Sequence, residues 1–329
     1  MKKKIIILTG FLGSGKTTLL RGVISRIGDR SKVLAIINEL GEASLDHNLV
    51  RVLSENVRFL RGGCACCNIR EDLVNALREM LSLEMRGEAP TPEYVVIETS
   101  GVSDPAPISF TITTDPVLQH HYKIHKIVAT VSTVNGERVL ETSPESLKQL
   151  MMADLIVLTK VDMTPKSESL VMRIRSLNPM AEIVESAKGE MDPAIFFSSA
   201  GYPAAAQSGF TGPELGRSEV LTIVFEGEVD WTVFGIWLSA LLYAHGERII
   251  RVKAAVNVGG GDFVLINGVQ HIIHSPEHFR ANPDDKSRLI IISRGVDPGR
   301  ILDSFQAFQS GLGGLAGPGY VVMRGAVHG

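Results

Sequence analysis

The chain has 329 residues, of which 44% are hydrophobic and 21% charged, and its formal net charge at pH 7 is -3. This balance excludes an intrinsically disordered chain, and the small negative charge gives no reason to expect nucleic acid or acidic lipid as a partner. The length is typical of two domains rather than one.

The amino terminus resembles the start of a secretion signal, since three lysines precede an apolar run. That run passes directly into a glycine-rich turn with no small-residue cleavage site, and no later stretch reaches the roughly 18 apolar residues of a membrane span. We therefore expect a cytoplasmic protein without a membrane partner.

The first apolar run ends in a phosphate-binding loop. Residues 5–9 are predicted to form a buried strand, and residues 10–18 follow with the pattern G-x-x-x-x-G-K-[ST]. In this pattern backbone N–H groups surround phosphate oxygens, and the next helix directs the positive end of its dipole at the same anion. We expect Lys16 to reach the β- and γ-phosphates and the Thr17 hydroxyl to ligate Mg²⁺. The residues predicted to hold the nucleotide here are Gly10, Gly13, Ser14, Gly15, Lys16, Thr17 and Thr18.

Apolar runs alternate with amphipathic stretches over the first 200 residues, as is typical of β-α-β units around a mostly parallel sheet. The predicted strands are 4–9, 33–38, 57–60, 94–98, 127–131, 155–159 and 182–185. The predicted helices are 17–27, 69–85, 144–152 and 167–177. We therefore expect an α/β P-loop NTPase domain over residues 1–200, with its functional loops at the carboxyl ends of the strands.

A second, smaller α+β domain is predicted after a flexible linker. Residues 201–218 are rich in glycine, proline and alanine, which indicates the linker, and residues 219–310 form the second domain. Its predicted strands are 220–225, 249–258, 263–266, 271–274 and 289–293, and its predicted helices lie near 231–243 and 298–308. Residues 311–329 are predicted to be a glycine-rich tail that is ordered only where it docks.

An acidic residue ends the strand predicted at 94–98. Glu98 occupies the position at which a Walker B carboxylate organises Mg²⁺ and water, so we expect it to be catalytic together with Lys16 and Thr17. Gly101 follows closely and allows the backbone to approach the γ-phosphate, so residues 99–104 are predicted to be a switch segment. The alternative is an ordinary strand end with a solvated glutamate.

A base-recognition element is predicted after the strand at 155–159. Thr159, Lys160 and Asp162 resemble the N/T-K-x-D signature of GTPases, in which the aspartate accepts hydrogen bonds from guanine and the lysine stem packs over the base. Thr159 replaces the commoner asparagine, which weakens the assignment to guanine. Residues 186–188, Ser-Ala-Lys, resemble the last guanine-contacting loop, and an unrelated charged turn is the alternative.

All three cysteines lie in one short segment, at Cys64, Cys66 and Cys67. This clustering excludes a distributed disulfide framework, and in a reducing cytosol thiols at this spacing favour a soft metal ion. The start of a helix lowers the pKa of a thiol, so a redox switch is an alternative, and inert packing is another. Three thiolates leave one tetrahedral position of Zn²⁺ for an outside ligand, and one of the adjacent pair is expected to be spare or shared.

Two further groups of residues are candidate metal ligands. Glu39 and Glu42 follow the second predicted strand, at the same sheet edge as the phosphate loop, and either they supply oxygen ligands or they belong to a solvated switch loop. His120, His121 and His125 form the densest group of histidines, and we interpret them as surface residues because two adjacent histidines cannot easily face one point.

Taken together, these motifs resemble those of the CobW-like proteins, a branch of the metal-handling P-loop GTPases. The resemblance covers residues 4 to about 310 and depends on five segments: 10–18, Asn-Glu-x-Gly-Glu at 38–42, Gly-Cys-x-Cys-Cys at 63–67, Glu-Thr-Ser-Gly-x-x-Asp-Pro at 98–105 and Thr-Lys-x-Asp at 159–162. The cysteine segment beside a P-loop is the specific part. Ser132 departs from the pattern, because relatives usually carry aspartate there.

The resemblance implies a metallochaperone that hydrolyses GTP to GDP slowly, with Mg²⁺, and delivers Zn²⁺ or Co²⁺ to a client metalloprotein. It further implies that Cys64, Cys66 and Cys67 hold the metal and that Glu39 and Glu42 assist or switch. Two rival interpretations remain: a P-loop kinase or ATPase with structural cysteines, and a nucleotide-binding zinc buffer or sensor with little turnover. The client, the choice between Zn²⁺ and Co²⁺, and whether the chain forms a homo-oligomer are left open.

Overall fold

The computed structural model describes residues 2–37, 57–59, 68–199, 218–280, 286–312 and 319–326. The chain divides into two compact units, one formed by residues 1–170 with 181–200 and the other by residues 171–180 with 201–329. No helix in the described ranges is long and apolar enough to cross a membrane.

The first unit is built on a seven-stranded sheet in which every neighbouring pair is parallel. The strands in chain order are β1 (Lys3–Gly10), β2 (Val33–Ile37), β3 (Val57–Phe59), β4 (Tyr94–Glu98), β5 (Tyr122–Ser132), β6 (Leu155–Thr159) and β7 (Glu182–Ser186), and their spatial order is β3-β2-β4-β1-β5-β6-β7. The central strands are continuous apolar runs because both faces of the sheet are covered, and Ile5, Ile6, Ile7 and Leu8 are wholly buried. The predicted α/β fold with a mostly parallel sheet is confirmed.

The helices of this part of the chain connect successive strands. They are α1 (Lys16–Ser25), a 3₁₀ turn at Arg30–Lys32, α2 (Asn68–Met85), α3 (Ala106–Thr114), α4 (Leu118–His121), α5 (Gly136–Thr142), α6 (Pro144–Met152), α7 (Glu168–Leu177) and α8 (Pro193–Phe197). The apolar face of α1, with Leu19, Leu20 and Val23, packs into one core with Ile6 of β1 and Val128 of β5. This packing fixes the start of α1 directly after the carboxyl end of β1.

Four helices, α3, α4, α5 and α8, were not predicted from the sequence. In α3 the β-branched residues favour a strand, but the structure forms a helix with Pro105 at its N-cap, and just before it Asp104 Oδ1 accepts a hydrogen bond from the Ala106 N–H (2.9 Å). The hydroxyls of Thr111 and Thr113 donate to helix carbonyls four residues earlier, at 2.8 Å each. The other three helices are short, so they carry little periodicity.

The predicted strand at 127–131 is the second half of a longer strand. β5 begins at Tyr122, and its first half alternates buried Tyr122 and Ile124 with partly exposed Lys123 and His125. A register shift between Ile5 and Ile6 of the neighbouring β1 interrupts the pairing at this point. The charged residues concealed the period-two pattern from the sequence analysis.

The second unit contains a mainly antiparallel sheet with two helices, as the predicted α+β domain requires. The strands are β8 (Ser218–Glu226), β9 (Ile249–Gly259), β10 (Asp262–Val269), β11 (Ile272–Ile273), β12 (Glu277–Arg280), β13 (Ser287–Arg294) and β14 (Gly319–Ala326); their order is β11-β10-β9-β13-β8-β14, and β12 pairs with β10. The helices are α9 (Trp231–His245) and α10 (Pro298–Leu312). Trp237 of α9 and Phe305 of α10 pack on the sheet and on each other, with ring centroids 4.8 Å apart.

The carboxyl-terminal segment, which was predicted to be ordered only where it docks, contains a strand that the sequence analysis did not name. Residues 319–326 form β14, which pairs antiparallel with β8 from Gly319 opposite Glu226 to Ala326 opposite Glu219. An isolated strand flanked by glycines is not stable, so this order depends on the hydrogen-bonding edge that β8 offers. The predicted linker lies outside the described residues except for Ser218, which is already part of β8.

Candidate nucleotide-binding site

The turn between β1 and α1 has the backbone geometry that a phosphate cradle requires. Gly10, Gly13 and Gly15 have φ values of 140°, 69° and 92°, which side chains rarely allow. A Cβ atom on Gly10 would lie 2.3 Å from Thr130 Oγ1 and 2.6 Å from the Thr130 carbonyl oxygen. The turn is therefore tightly packed against β5, and only glycine fits at its first position.

Buried hydroxyl groups of the neighbouring strands support this turn from below. Ser14 Oγ and Thr130 Oγ1 are 2.6 Å apart, and Thr159 Oγ1 donates to the Ser14 carbonyl oxygen at 2.6 Å. All three side chains are at least 95% buried. Thr159 thus joins the predicted base-recognition segment to the phosphate loop. The hydroxyl that stands in place of the commoner asparagine amide therefore has a structural role here.

The Lys16 ammonium group lies over the same turn. Its Nζ donates to the Gly10 carbonyl at 2.9 Å and to the Phe11 carbonyl at 3.2 Å, and the side chain is only 8% exposed. A buried cation at the start of a helix provides charge and donors for phosphate oxygens. The structure therefore places the predicted phosphate-binding lysine where it lines the cavity.

Thr17 and Glu98 meet at the carboxyl ends of β1 and β4. The Thr17 hydroxyl donates to Glu98 Oε1, and the Glu98 side chain is 3% exposed. A hydroxyl beside a carboxylate is the hard-oxygen donor set that Mg²⁺ prefers when it also binds substrate phosphates. These residues therefore fit the predicted magnesium site.

The segment after β4, residues 99–104, forms the opposite wall. A Cβ atom on Gly101 would lie 2.6 Å from the backbone nitrogen of Leu12, so Gly101 touches the phosphate loop directly. Thr99 Oγ1 donates to Thr9 Oγ1 at 3.0 Å, which ties the start of the segment to β1. The cavity has a volume of about 410 Å³, and the phosphate loop, the start of α1, residues 98–102 and Lys160 line it.

The two predicted base-recognition loops lie side by side at the carboxyl ends of β6 and β7. Asp162 Oδ1 accepts a hydrogen bond from the Lys188 backbone N–H at 3.1 Å. Lys160 and Lys188 both have left-handed backbones, with φ values of 60° and 52°. A Cβ atom on Gly189 would lie 2.4 Å from the Thr18 carbonyl, so this pair of loops also touches α1. The recognition of guanine itself stays a prediction.

The predicted cargo-metal ligands Cys64, Cys66, Cys67, Glu39 and Glu42 lie outside the described residues. Within the described part of the chain, no group of three or more His, Cys, Asp and Glu side chains is arranged to hold a metal ion.

The three histidines grouped at 120–125 have different surroundings. His120 and His121 are exposed at the end of α4, in agreement with the interpretation as surface residues. His125 is instead half-buried, and its Nε2 lies 3.0 Å from the Phe197 carbonyl oxygen. Burial and the neighbouring lysines hold the pKa of His125 below its usual value.

Sequence reasoning missed two buried side chains of this site, Thr130 and Gln149. Thr130 lies inside a predicted strand, where its hydroxyl gave no signal. Gln149 lies in α6 and is 1% exposed, and its Nε2 donates to the carbonyls of Gly101 (3.2 Å) and Ser103 (3.0 Å). A glutamine among the buried positions Ser146, Leu150 and Met151 of a predicted helix was the available signal.

The parallel sheet, the glycine-rich turn into α1 and the Thr17–Glu98 pair define a P-loop nucleotide-binding protein. The family described as "CobW/HypB/UreG, nucleotide-binding domain" matches residues 4–185, and the "Cobalamin synthesis protein cobW C-terminal domain" matches residues 218–309. The first match covers more than half of the chain, and the chain belongs to this family. The resemblance inferred from the motifs is therefore confirmed.

Several characterised proteins are similar over much or part of the chain. The zinc chaperone YjiA of Escherichia coli is 28% identical over 300 residues, which are 89% of this chain and 93% of YjiA. The zinc-regulated GTPase metalloprotein activator 1 of Schizosaccharomyces pombe is 32% identical over 201 residues, 57% of this chain and 46% of that protein. The crystal structure of Zn(II)-bound YjiA GTPase matches with a TM-score of 0.70 at 23% identity, covering 94% of this chain and 99% of the other, and shows the same fold.

Proposed function

We propose that this protein is a GTP-dependent metallochaperone, which binds Zn²⁺ or Co²⁺ at Cys64, Cys66 and Cys67 and passes it to a client metalloprotein when GTP is hydrolysed. The observation that carries the proposal is the hydrogen bond from the half-buried Thr17 hydroxyl to the buried Glu98 carboxylate in a cavity of about 410 Å³, which combines a magnesium-binding hydroxyl with an acidic residue. The names of the similar proteins, a zinc chaperone and a zinc-regulated GTPase, support the metal cargo.

Several polar groups in and beside the cavity have a role in the proposed reaction. Backbone N–H groups of residues 13–17 bind the β-phosphate, and the Lys16 ammonium group stabilises the charge that develops between the β- and γ-phosphates. Thr17 and Glu98 hold Mg²⁺, which neutralises phosphate charge when it is bound. Lys160 and Asp162 hold the guanine base. GTP hydrolysis requires mainly that the phosphates are positioned and that their developing charge is stabilised. We therefore expect slow hydrolysis in the absence of a further activating group.

The topology supports a link between the nucleotide and the cargo metal. β2, β3 and β4 are parallel, and Ile37, at the end of β2, pairs with Phe59 of β3 and with Glu98 of β4. β2 and β3 end at Ile37 and Phe59, at the sheet edge that carries the P-loop, and Glu39 and Cys64 follow these two ends in the sequence. Nucleotide-dependent movement at this edge would change the geometry of the thiolate site.

Linked binding makes this proposal testable. If GTP tightens metal binding, metal must tighten GTP binding by the same factor. We expect Zn²⁺ to bind at least about 10-fold more tightly with a non-hydrolysable GTP analogue than with GDP, which corresponds to roughly 1.4 kcal/mol of coupling. Equal zinc affinities in the two nucleotide states would refute nucleotide-linked transfer. The Cys66→Ala variant is expected to lose zinc and retain GDP binding.

Two simpler measurements separate the rival functions. Competition of ATP against GTP for the free protein tests the kinase or ATPase alternative, since Thr159 weakens the assignment to guanine. Stimulation of phosphate release by stoichiometric Zn²⁺ tests the buffer or sensor alternative, for which no stimulation is expected. Preferential GTP binding together with metal-stimulated release is the result that the chaperone requires.

A further inference from the structure

We propose that Gln149 is a positioning residue that anchors the predicted switch segment, residues 99–104, to helix α6 and thereby sets its response to the γ-phosphate. This inference rests on the proposed GTPase function, since it assigns the element that holds one wall of the nucleotide cavity. It begins from two hydrogen bonds that the mechanism above does not use.

The Gln149 side-chain amide spans the turn of the switch segment. Its Nε2 group donates to the Gly101 carbonyl at 3.2 Å and to the Ser103 carbonyl at 3.0 Å, so both amide hydrogens are used. The reverse orientation of the amide would place Oε1 against two carbonyl oxygens, which is repulsive. The orientation of the group follows from these neighbours.

The buried glutamine amide has a cost in stability. Its side chain is 1% exposed, and among the described residues its Oε1 atom has no hydrogen-bond partner. A buried acceptor without a partner is destabilising, so an apolar residue here would be easier to bury. Among the described residues, the two hydrogen bonds to the switch segment are the interactions of this amide that offset the cost.

Helix α6, which carries Gln149, is itself held in place by a cap and by burial. Its first turn is capped by Ser143 Oγ, which accepts from the Ser146 N–H at 3.2 Å. Leu150, Met151 and Met152, which follow Gln149, are 1–2% exposed. Movement of the switch segment therefore requires that the bonds to Gln149 break, because the buried helix does not follow easily.

The switch segment is held between the phosphate loop and α6. Gly101 contacts Leu12 of the phosphate loop at a distance that admits no side chain, and its carbonyl faces Gln149. Lys148, the residue before Gln149, lies 3.6 Å from Asp104 at the end of the same segment, a partly exposed pair of small energetic value. The buried amide is therefore the main tether on the α6 side.

The Gln149→Leu variant tests the proposal, since it has a similar shape and no donors. We expect kcat for GTP and the affinity for a non-hydrolysable GTP analogue to fall at least about 10-fold, equivalent to roughly 1.4 kcal/mol. GDP affinity is expected to stay within about 2-fold, because GDP has no γ-phosphate for the switch segment to contact. Gln119→Leu, at an exposed glutamine of α4, is the matched control and should change neither.

The Gln149→Glu variant separates positioning from general destabilisation. An ionised carboxylate facing two carbonyl oxygens is repelled, whereas the protonated acid has one O–H donor. Burial and these carbonyls raise the pKa of the introduced acid, so the ratio of variant to wild-type kcat should rise as the pH falls from 8 to 6. This profile also decides the matter if Gln149→Leu does not fold.

The outcomes distinguish this inference from the proposed function. A folded Gln149→Leu protein with wild-type kcat and analogue affinity, or a flat pH ratio for Gln149→Glu, would overturn the role of Gln149 while leaving the GTPase intact. Failure of the wild-type protein to bind or hydrolyse GTP would instead refute the proposed function. An equal loss of GDP and analogue affinity would also count against the inference, because it indicates damage to the whole site.

Discussion

The two edges of the parallel sheet contain the same strands and differ sharply in chemistry. At the carboxyl edge, Lys16, Glu98 and Thr159 are buried around a cavity. At the amino edge, the polar groups are paired with each other: Lys4 lies 3.0 Å from Glu93 and 4.7 Å from the centroid of the Tyr94 ring.

The direction of the chain explains this difference. Each strand of a parallel sheet is followed by a helix whose N-terminus, with its partial positive charge and open N–H groups, lies at the carboxyl edge. α1 begins at Lys16, directly after the turn that follows β1, so its free N–H groups lie where a phosphate can accept from them. The carboxyl ends of the helices lie at the amino edge, where the paired polar groups stabilise the fold. Three variants test this division, in order of decreasing effect.

The largest effect is expected from Lys16→Ala. Loss of the buried ammonium group removes the main positive charge of the cavity, and we expect GDP and GTP affinity to fall about 100-fold, or roughly 2.7 kcal/mol. Isothermal titration calorimetry of GDP and of GTP, with Mg²⁺ present, measures the two affinities. Lys32→Ala, an exposed lysine just before β2 at the amino edge, should bind nucleotide as the wild type does. Similar losses in both variants would mean that general charge, and not position, controls binding.

A smaller effect is expected from Thr159→Val, which keeps the shape and removes the hydroxyl that binds the Ser14 carbonyl. The phosphate loop loses a buried support worth roughly 1–2 kcal/mol, so GDP affinity should fall about 10-fold. Thr142→Val is the control, because the exposed Thr142 hydroxyl donates to the Arg138 carbonyl of its own helix, at 2.9 Å. Unchanged GDP affinity in Thr159→Val would show that the buried hydroxyls do not position the loop.

The smallest effect is expected at the amino edge, from His125→Gln. The pKa of His125 is held below its usual 6.5 by burial and nearby lysines, so the unfolded chain binds the proton more readily than the folded one. Stability from this group is present above about pH 6.5 and is lost as the pH falls below it.

The free energy of unfolding, measured with urea, should fall less between pH 8 and pH 5.5 in the glutamine variant than in the wild type. The two falls should differ by no more than about 1 kcal/mol. It can still donate to the Phe197 carbonyl and should leave GDP affinity unchanged. A change in nucleotide affinity would break the proposed division between the edges, and an unaltered acid dependence would show that His125 does not set it.

Much of the fold follows from periodicity in the sequence. All seven strands of the first sheet were predicted, and the signal was strongest for the central strands, which are uninterrupted apolar runs. The errors fall on elements with weak local signals: the short helices, the charged first half of β5, and β14, which needs the edge of β8. The phosphate-loop pattern already named the glycines and the lysine that line the cavity, because such a loop is encoded by adjacent residues at fixed spacings.

The sequence by itself determined that this chain carries a P-loop on a parallel sheet and belongs to the CobW-like family, because these features are written in contiguous motifs. Only the tertiary structure decided that the Thr159 hydroxyl supports Ser14, 145 residues away, and that Gln149 binds Gly101 across 48 residues. Such contacts have no local pattern, since they arise when buried polar groups from distant elements must find partners in the same core.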